Sequence, residues 1–191
     1  MAKKHGIASD SYKRVIIDQG AVYGNYDIVA GTGTLLGATK GGNEFAVKTE
    51  YHTIEFDGAL GPTKNGRRIT KLEVSLKCKF IEMKLALLKM ALPGSSSVDY
   101  PTAPAAKTHD LVTRACSLTS SDYLTNVAIL GEVNAQNIPI IIVLENALCD
   151  GEFALNFAPA EDNVSEVMFT AHFDPSTITT EPWKIYYPVI S

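Results

Sequence analysis

The sequence predicts a mainly β protein: an antiparallel β-sandwich or partly closed barrel with one α-helix packed on one side. Three observations carry this prediction. Apolar residues recur at every second position over several stretches, which is the period of a strand with one buried face. Residues 81–92 alone combine strong helix formers with a helical apolar spacing. Clusters of Gly, Pro, Asn and Asp separate these stretches, as expected of turns.

The length and composition fit one folded domain that spans residues 1–191. The chain is 46% hydrophobic and 20% charged, and both fractions are ordinary for a folded protein. The net charge of −4 argues against wholesale binding to nucleic acid through a basic surface. Three widely separated cysteines, at positions 78, 116 and 149, form no CxxC pair and fit a reducing interior.

No targeting segment is expected. The basic residues near the N-terminus are not followed by the apolar run of a secretory signal, and the longest apolar run, 138–144, is too short to span a bilayer. The sequence therefore predicts assembly in the cytoplasm and no membrane partner.

The N-terminal region predicts a loop-rich arm over about residues 1–34. Its first 12 residues are polar, and five glycines lie between positions 20 and 37. One short strand is expected near residues 27–29.

Residues 36–80 predict one long β-hairpin. Its first arm, residues 41–56, and its second arm, residues 72–80, both alternate apolar and polar side chains. The face expected to be buried carries Phe45, Val47, Thr49, Tyr51 and Thr53 in the first arm, and Leu72, Val74, Leu76, Cys78 and Phe80 in the second. The apolar parity changes at Ile54 and Phe56, which predicts a bulge there or the end of the strand.

The connector of this hairpin, residues 57–68, is far longer than a tight turn requires, so we expect it to have a function of its own. An Asp-Gly and an Asn-Gly near its two ends tolerate positive φ and would give it a defined shape. Its residues are Asp57, Gly58, Ala59, Leu60, Gly61, Pro62, Thr63, Lys64, Asn65, Gly66, Arg67 and Arg68.

The remainder of the chain predicts a helix, a loop and then strands. The helix covers residues 81–92, has Ile81, Leu85, Leu88 and Leu92 on one face, and ends at Pro93-Gly94. A surface loop is expected over residues 95–107. Strands are expected over residues 110–118, 126–133, 138–144, 152–158 and 164–173. Residues 174–191 form a C-terminal arm with Trp183, Tyr186 and Tyr187 as its anchor, either an exposed platform or a clasp onto the core.

Motifs for catalysis, metals or cofactors are weak. Residues 31–37 (GTGTLLG) approach a dinucleotide loop, but the third glycine is one position late and no βαβ unit follows. The four histidines show no metal-ligand spacing, and no nucleophile elbow is present. The sequence therefore predicts no catalytic residue, no metal, no cofactor and no enzyme activity.

Several blocks resemble the major tail tube protein of long-tailed bacteriophages. They are GATKGGNEF at 37–45, IEFDGALGPTK at 54–64, RRI at 67–69, FTAHFDP at 169–175 and EPWKI at 181–185. With the strands between them they cover most of the chain, and their order and spacing make the likeness fairly specific.

This resemblance implies a structural virion protein that polymerises as stacked hexameric rings into the tail tube, the conduit for genome ejection. It implies that the main partner of each subunit is another copy of the same chain. The further partners that it implies are a tape measure protein inside the tube, a distal initiator and a tail terminator, and DNA would pass through the tube transiently. Assembly in the host bacterial cytoplasm and residence in the virion tail follow. Residues 57–68 then become the expected inter-ring contact, with residues 20–37 and 176–191 as further candidates.

A lumen that DNA slides through should avoid net positive charge, because each bound phosphate adds affinity. Glu44, Lys48, Glu50 and His52 share one face of the first hairpin arm and predict a near-neutral to acidic lumen-facing strip. Arg67 and Arg68 are a further candidate, for contact with a phosphate group, and the alternative is a solvated or salt-bridged pair. A second hypothesis remains: a soluble β-sandwich binding module that grips protein or carbohydrate through the long hairpin loop and the Trp183 cluster.

Overall fold

The computed structural model describes residues 6–8, 11–16, 20–102, 104–134, 138–155, 157, 159 and 162–189. Within them lie one α-helix, α1 (Leu85–Ala91), and two short 3-10 turns (Ser11–Arg14 and Ser120–Asp122). The strands are β1 (Ala21–Asp27), β2 (Thr32–Leu35), β3 (Glu44–Thr53), β4 (Arg67–Phe80), β5 (Ser95–Tyr100), β6 (His109–Arg114), β7 (Leu124–Gly131), β8 (Ile140–Cys149), β9 (Ser165–Thr170) and β10 (Trp183–Tyr186).

All strand pairs are antiparallel, and the fold is mainly β with one helix, as the sequence predicts. The main sheet has the order β2-β1-β7-β8-β9-β4-β3, and β10 pairs with β8 beside this path. The first part of β8 pairs with β7 and β10, and its last two residues pair with β9, so β8 connects two layers of a β-sandwich. The sheet does not close into a barrel.

The core lies between these layers. Its largest fully buried side chains include Phe80, Phe169, Leu76 and Leu144, which come from β4, β8 and β9. Helix α1 closes one side of this core through Leu87 and Ala91. Buried side chains alternate strictly along β4 from Val74 to Phe80, as its sequence pattern predicts.

The predicted N-terminal arm is wrong from residue 20 onward. β1 lies inside the sheet, between β2 and β7, and Val22 and Tyr26 on it are buried. The turn between β1 and β2 includes Gly31 with φ of 66°, a backbone conformation that suits glycine. The glycines of this region therefore belong to a hairpin rather than to a free arm. Residues 1–5, 9–10 and 17–19 of the predicted arm lie outside the described residues.

Two predictions after the hairpin also need correction. Residues 95–107 are predicted as a loop, but Ser95–Tyr100 pairs with His109–Arg114 in a separate two-stranded sheet. Its serine-rich strand lacks an apolar alternation, so the pattern gave no signal. Residues 152–158 are predicted as a strand, but 152–155 and 157 have no strand structure, and 156 and 158 lie outside the described residues.

Helix α1 is shorter than predicted and buries a different face. The amide of Ile81 donates to the carbonyl of Ala38 at 3.0 Å, so residue 81 still continues the sheet pairing and the helix begins at Leu85. Leu87 and Ala91 face the core, whereas Ile81 and Leu85 are exposed. No helix in the described part of the chain is long and apolar enough to cross a bilayer.

Candidate functional site

The β3–β4 hairpin is the candidate site because it extends beyond the sandwich core. Ten residue pairs join the two strands, from Glu44 with Lys77 to Thr53 with Arg67. The register shifts between Glu50 and Tyr51, which pair with Lys71 and Ile69 respectively, so Thr70 is the extra residue of a β-bulge. Of the two predictions for the parity change at Ile54 and Phe56, the end of the strand is confirmed, since Thr53 is the last residue of β3, and the bulge lies on the partner strand.

The outer half of this hairpin exposes the face that its alternation predicts to be buried. Val47 is 39% exposed, Tyr51 56% and Ile69 59%. Phe45, nearer the base of the hairpin, is half-buried against the core and Trp183. The apolar face thus begins as core and continues as surface. We call this exposed part the outer apolar face: Val47, Tyr51 and Ile69.

The connector 57–68 lies at the far end of the hairpin. All of its residues are exposed except Gly66, and Leu60 is fully exposed. Its shape is set by local hydrogen bonds. The amide of Ile54 donates to the carbonyl of Gly66 at 2.7 Å, and the amide of Gly66 donates to the carbonyl of Thr63 at 3.1 Å. Asn65 has φ of 66°, as the Asn-Gly signal predicts. The loop is a defined protrusion that does not fold back onto the sandwich.

The predicted lumen-facing residues do share one exposed face, but that face is not acidic. Glu44, Lys48, Glu50 and His52 pair across the hairpin with Lys77, Glu73, Lys71 and Arg68, respectively. The Nζ of Lys71 lies 3.8 Å from Glu50 and 3.6 Å from Glu73, and the Nζ of Lys77 lies 2.7 Å from Glu166. The hydrogen bond with Glu166, together with its charge, raises the pKa of Lys77. Basic residues of β4 therefore neutralise the strip.

The C-terminal anchor residues divide into two groups. Trp183 is half-buried, its ring centroid lies 5.8 Å from that of Phe45, and its Nε1 donates to Glu181 at 2.7 Å. β10 holds this segment on β8, and an ion pair joins Lys184 to Glu145. Tyr186 and Tyr187 are exposed. Of the two readings of this cluster, a clasp onto the core fits Trp183, so the segment that begins at 183 is not a free arm.

The two ends of the main sheet are open. β2 and β3 each pair with one strand in the described part of the chain, so each presents an outer row of amide and carbonyl groups. Leu35 on β2 and Val47 on β3 are exposed beside these rows. Uncovered edges of this kind are templates for pairing with another strand.

The structure contains one groove that the sequence did not predict. It has a volume of about 580 Å³ and is lined by Tyr123, Asn146, His172, Phe173 and Asp174, among others. The ring of Tyr123 meets that of His172 edge-on, with centroids 5.2 Å apart. The Nδ1–H of His172 donates to the carbonyl of Thr170 at 3.0 Å, which directs Nε2 away from that bond. These residues come from three separate segments, so no local motif could have revealed them.

Two cysteine thiols are buried in the core, that of Cys78 on β4 and that of Cys149 on β8. Burial, and to a smaller degree the charge of Cys149, raise the pKa of the Cys78 thiol to about 12. Burial raises the pKa of Cys149 to about 11. Both act as apolar filler between β4, β8 and β9, whereas Cys116 is exposed.

No group of three or more His, Cys, Asp or Glu side chains in the described residues could hold a metal ion. Comparison with known proteins adds no assignment: no protein-family model and no curated protein matches the chain.

Proposed function

We propose that this protein is the structural subunit of a phage tail tube, which polymerises as stacked hexameric rings and serves as the conduit for genome ejection. The observation that carries the proposal is the hairpin β3–β4: an open edge strand, an exposed apolar face and a structured protruding loop occur on one element. The resemblance of the sequence to tail tube proteins supplies the ring number and the virion context.

The sheet edges support lateral contacts. β3 lies at one end of the sheet and β2 at the other, so pairing the β3 edge of one copy with an edge of the next uses two different surfaces. Such a heterologous contact closes into a ring when the rotation per subunit divides a full turn. The pairing would satisfy the backbone groups that a free edge leaves to water.

The outer apolar face supports the same conclusion. Val47, Tyr51 and Ile69 are exposed on one side of the hairpin, and exposed apolar surface of this kind favours a covering partner. In a ring, the neighbouring subunit would cover the patch beside the paired edges. The loop 57–68 then extends along the tube axis towards the next ring.

Electron microscopy of the purified, concentrated protein tests this proposal. We expect rings or tubes with an open channel in negative stain, and a sedimentation profile that shifts from monomer to polymer with rising concentration. Tyr51→Glu, which puts a charge on the outer apolar face, should abolish the polymer and leave the circular dichroism spectrum unchanged. Protein that never forms rings or tubes, with or without polyethylene glycol as a crowding agent, would contradict the proposal.

The groove at His172 favours a second candidate, the carbohydrate-binding module. Tyr123 and Phe173 offer apolar ring faces, and Asn146 Oδ1 and His172 Nε2 make no hydrogen bond within the described residues. Aromatic faces beside free acceptors suit a hydroxyl-rich ligand. Screening the protein on a glycan array and confirming hits by NMR titration tests this candidate, and shifts confined to the groove residues would support it over the tube.

A further inference from the structure

We propose that the loop 57–68 of one subunit docks into the open polar cavity at the opposite end of the same hairpin in a second copy of this chain. The proposal rests on the tube function proposed above and identifies the receptor surface for the loop. The cavity has a volume of about 690 Å³ and is lined by Lys40, Lys79, Glu152, Ala154, Asp162 and Glu166, among others.

The two surfaces lie at opposite ends of β4. The loop joins the first residue of β4, Arg67, whereas Lys79 lies one residue before the last, and Phe80 pairs with Ser165. The 14 residues of β4 span roughly 45 Å at about 3.3 Å per residue. A contact between two different surfaces displaced along one strand repeats by translation, and repeated translation gives an open-ended stack.

The loop and the adjacent Glu55 carry charges without partners inside their own subunit. Lys64, Arg67 and Arg68 make no ion pair within the described residues, and neither do Glu55 and Asp57. All five side chains are exposed. Three basic groups against two acidic groups give this segment a small positive excess.

The cavity offers one acidic and one basic group to such a segment. Three carboxylates, on Glu152, Asp162 and Glu166, face the two ammonium groups of Lys40 and Lys79. Asp162 already pairs with Lys40 at 2.5 Å, and Glu166 pairs with Lys77, which lies outside the cavity, at 2.7 Å. Glu152 and Lys79 make no ion pair in the described part of the chain, so they are the groups available to a docking partner.

Apolar residues on both surfaces accompany the charge match. The cavity wall also contains Ala154 and Val164, an apolar patch among the charges. Leu60 stands fully exposed on the loop with nothing of its own subunit to cover it. Docking would place Leu60 against this patch and surround it with opposite charges, which fixes the orientation of the two copies.

Cysteine crosslinking tests the contact directly. The variant Leu60→Cys/Ala154→Cys, made with Cys116→Ser so that no native thiol is exposed, should form a ladder of covalent multimers when tubes are oxidised. The single-cysteine variants should form tubes and give no ladder. Tubes of the double-cysteine variant that yield no ladder would overturn the proposed contact and leave the tube function standing.

Charge reversal tests it without new thiols. Glu152→Lys should raise the critical concentration for tube formation by about tenfold and make it less sensitive to salt, because a pair across the contact becomes repulsive. Glu73→Lys reverses the charge of a carboxylate on β4 that lies outside the cavity, and it should leave the critical concentration for tube formation unchanged. Normal assembly by Glu152→Lys would overturn the proposal, whereas wild-type protein that forms no tubes would contradict the function itself.

Discussion

The two halves of the β3–β4 hairpin have similar sequences and different surroundings. Both alternate apolar and polar residues, yet the base half is core and the outer half is surface. A second contrast lies between the two strands where the halves meet: Val74 on β4 is 1% exposed, whereas its cross-strand partner Val47 on β3 is 39% exposed. Alternation therefore identifies a face, and the cover that the face receives depends on which other elements reach it.

The cover differs because the neighbouring strand is short. β9 pairs with β4 between Ser75 and Phe80, and the amide of Ala171 donates to the carbonyl of Val74 at 2.9 Å. Nearer the loop than Val74, β4 pairs only with β3 within the described residues, so the β3–β4 ribbon runs on alone. A two-stranded ribbon with one apolar face is marginal in water by itself. A second subunit that covers this face would extend the core across the contact, which is why the outer half is the expected site of assembly.

Truncating the largest base-half side chain should have the largest effect on stability. Phe80→Ala removes a fully buried ring of β4 from the core and should lower the free energy of unfolding by roughly 3–5 kcal/mol. Tyr51→Ala, on the outer apolar face, should lower it by less than about 1 kcal/mol in the monomer. Urea denaturation of both monomers measures the difference, and equal losses would contradict the contrast between the halves.

The cross-strand valines give a closer match of chemistry. Val74→Ala should cost the monomer about 2 kcal/mol, because two buried methyl groups leave a cavity. Val47→Ala should cost the monomer under about 0.5 kcal/mol but weaken assembly, since its methyl groups would be buried by the neighbour. Urea melts of the monomer and sedimentation of the polymer separate the two effects. A Val47→Ala monomer as destabilised as Val74→Ala would show that the outer half is already covered.

A smaller effect is expected at Asp122, which holds the β5 end of the second sheet. Its carboxylate accepts from the amides of Gly94 at 2.8 Å and Thr119 at 2.7 Å. The hydrogen bond from the amide of Thr119 contributes most to lowering the pKa of Asp122 below its ordinary value of 3.8, and the hydrogen bond from the amide of Gly94 contributes next. The stabilisation is therefore present above pH 3.8 and is lost as the pH falls through the lowered pKa.

Asp122→Asn should accordingly unfold more easily than wild type at neutral pH, and the difference should shrink as the pH falls below 3.8. Urea melts at a series of pH values measure it. Asp57→Asn is the matched control, because the exposed side chain of Asp57 makes no hydrogen bond in the described residues, and its urea melt at neutral pH should match that of wild type. A constant difference for Asp122→Asn at all pH values would contradict this account.

The sequence predicts the parts of the fold that local pattern determines. The hairpin arms, strands β7 to β9 and the left-handed Asn65 follow from alternation and turn chemistry. It misses β1, β2 and β5, where glycine or serine replaces the apolar alternation and the pairing comes from the sheet. It also misplaces the helix face, because Leu87 and Ala91 face the core for reasons of packing rather than of composition.

The candidate site divides in the same way. The protruding loop was predicted from its length alone, and its exposure follows from the end of β9 opposite Ser75. The neutral charge of the polar face could not be seen from β3 by itself, because the register brings Lys71, Lys77 and Arg68 beside the acidic residues. The groove at His172 depends on segments far apart in the chain, and no short-range pattern contains it.

The unpaired Thr70 governs which way the end of the hairpin points. Leu72 and Ile69 are three positions apart, yet both lie on the apolar side because Thr70 is passed over in the pairing. Its hydroxyl donates to the carbonyl of Glu50 at 3.2 Å and holds this irregularity in place. Deleting this single threonine would join Ile69 directly to Lys71, keep their side chains on their present faces and remove the extra local twist of the bulge, so the direction of a distant contact is encoded in one surplus residue in mid-strand.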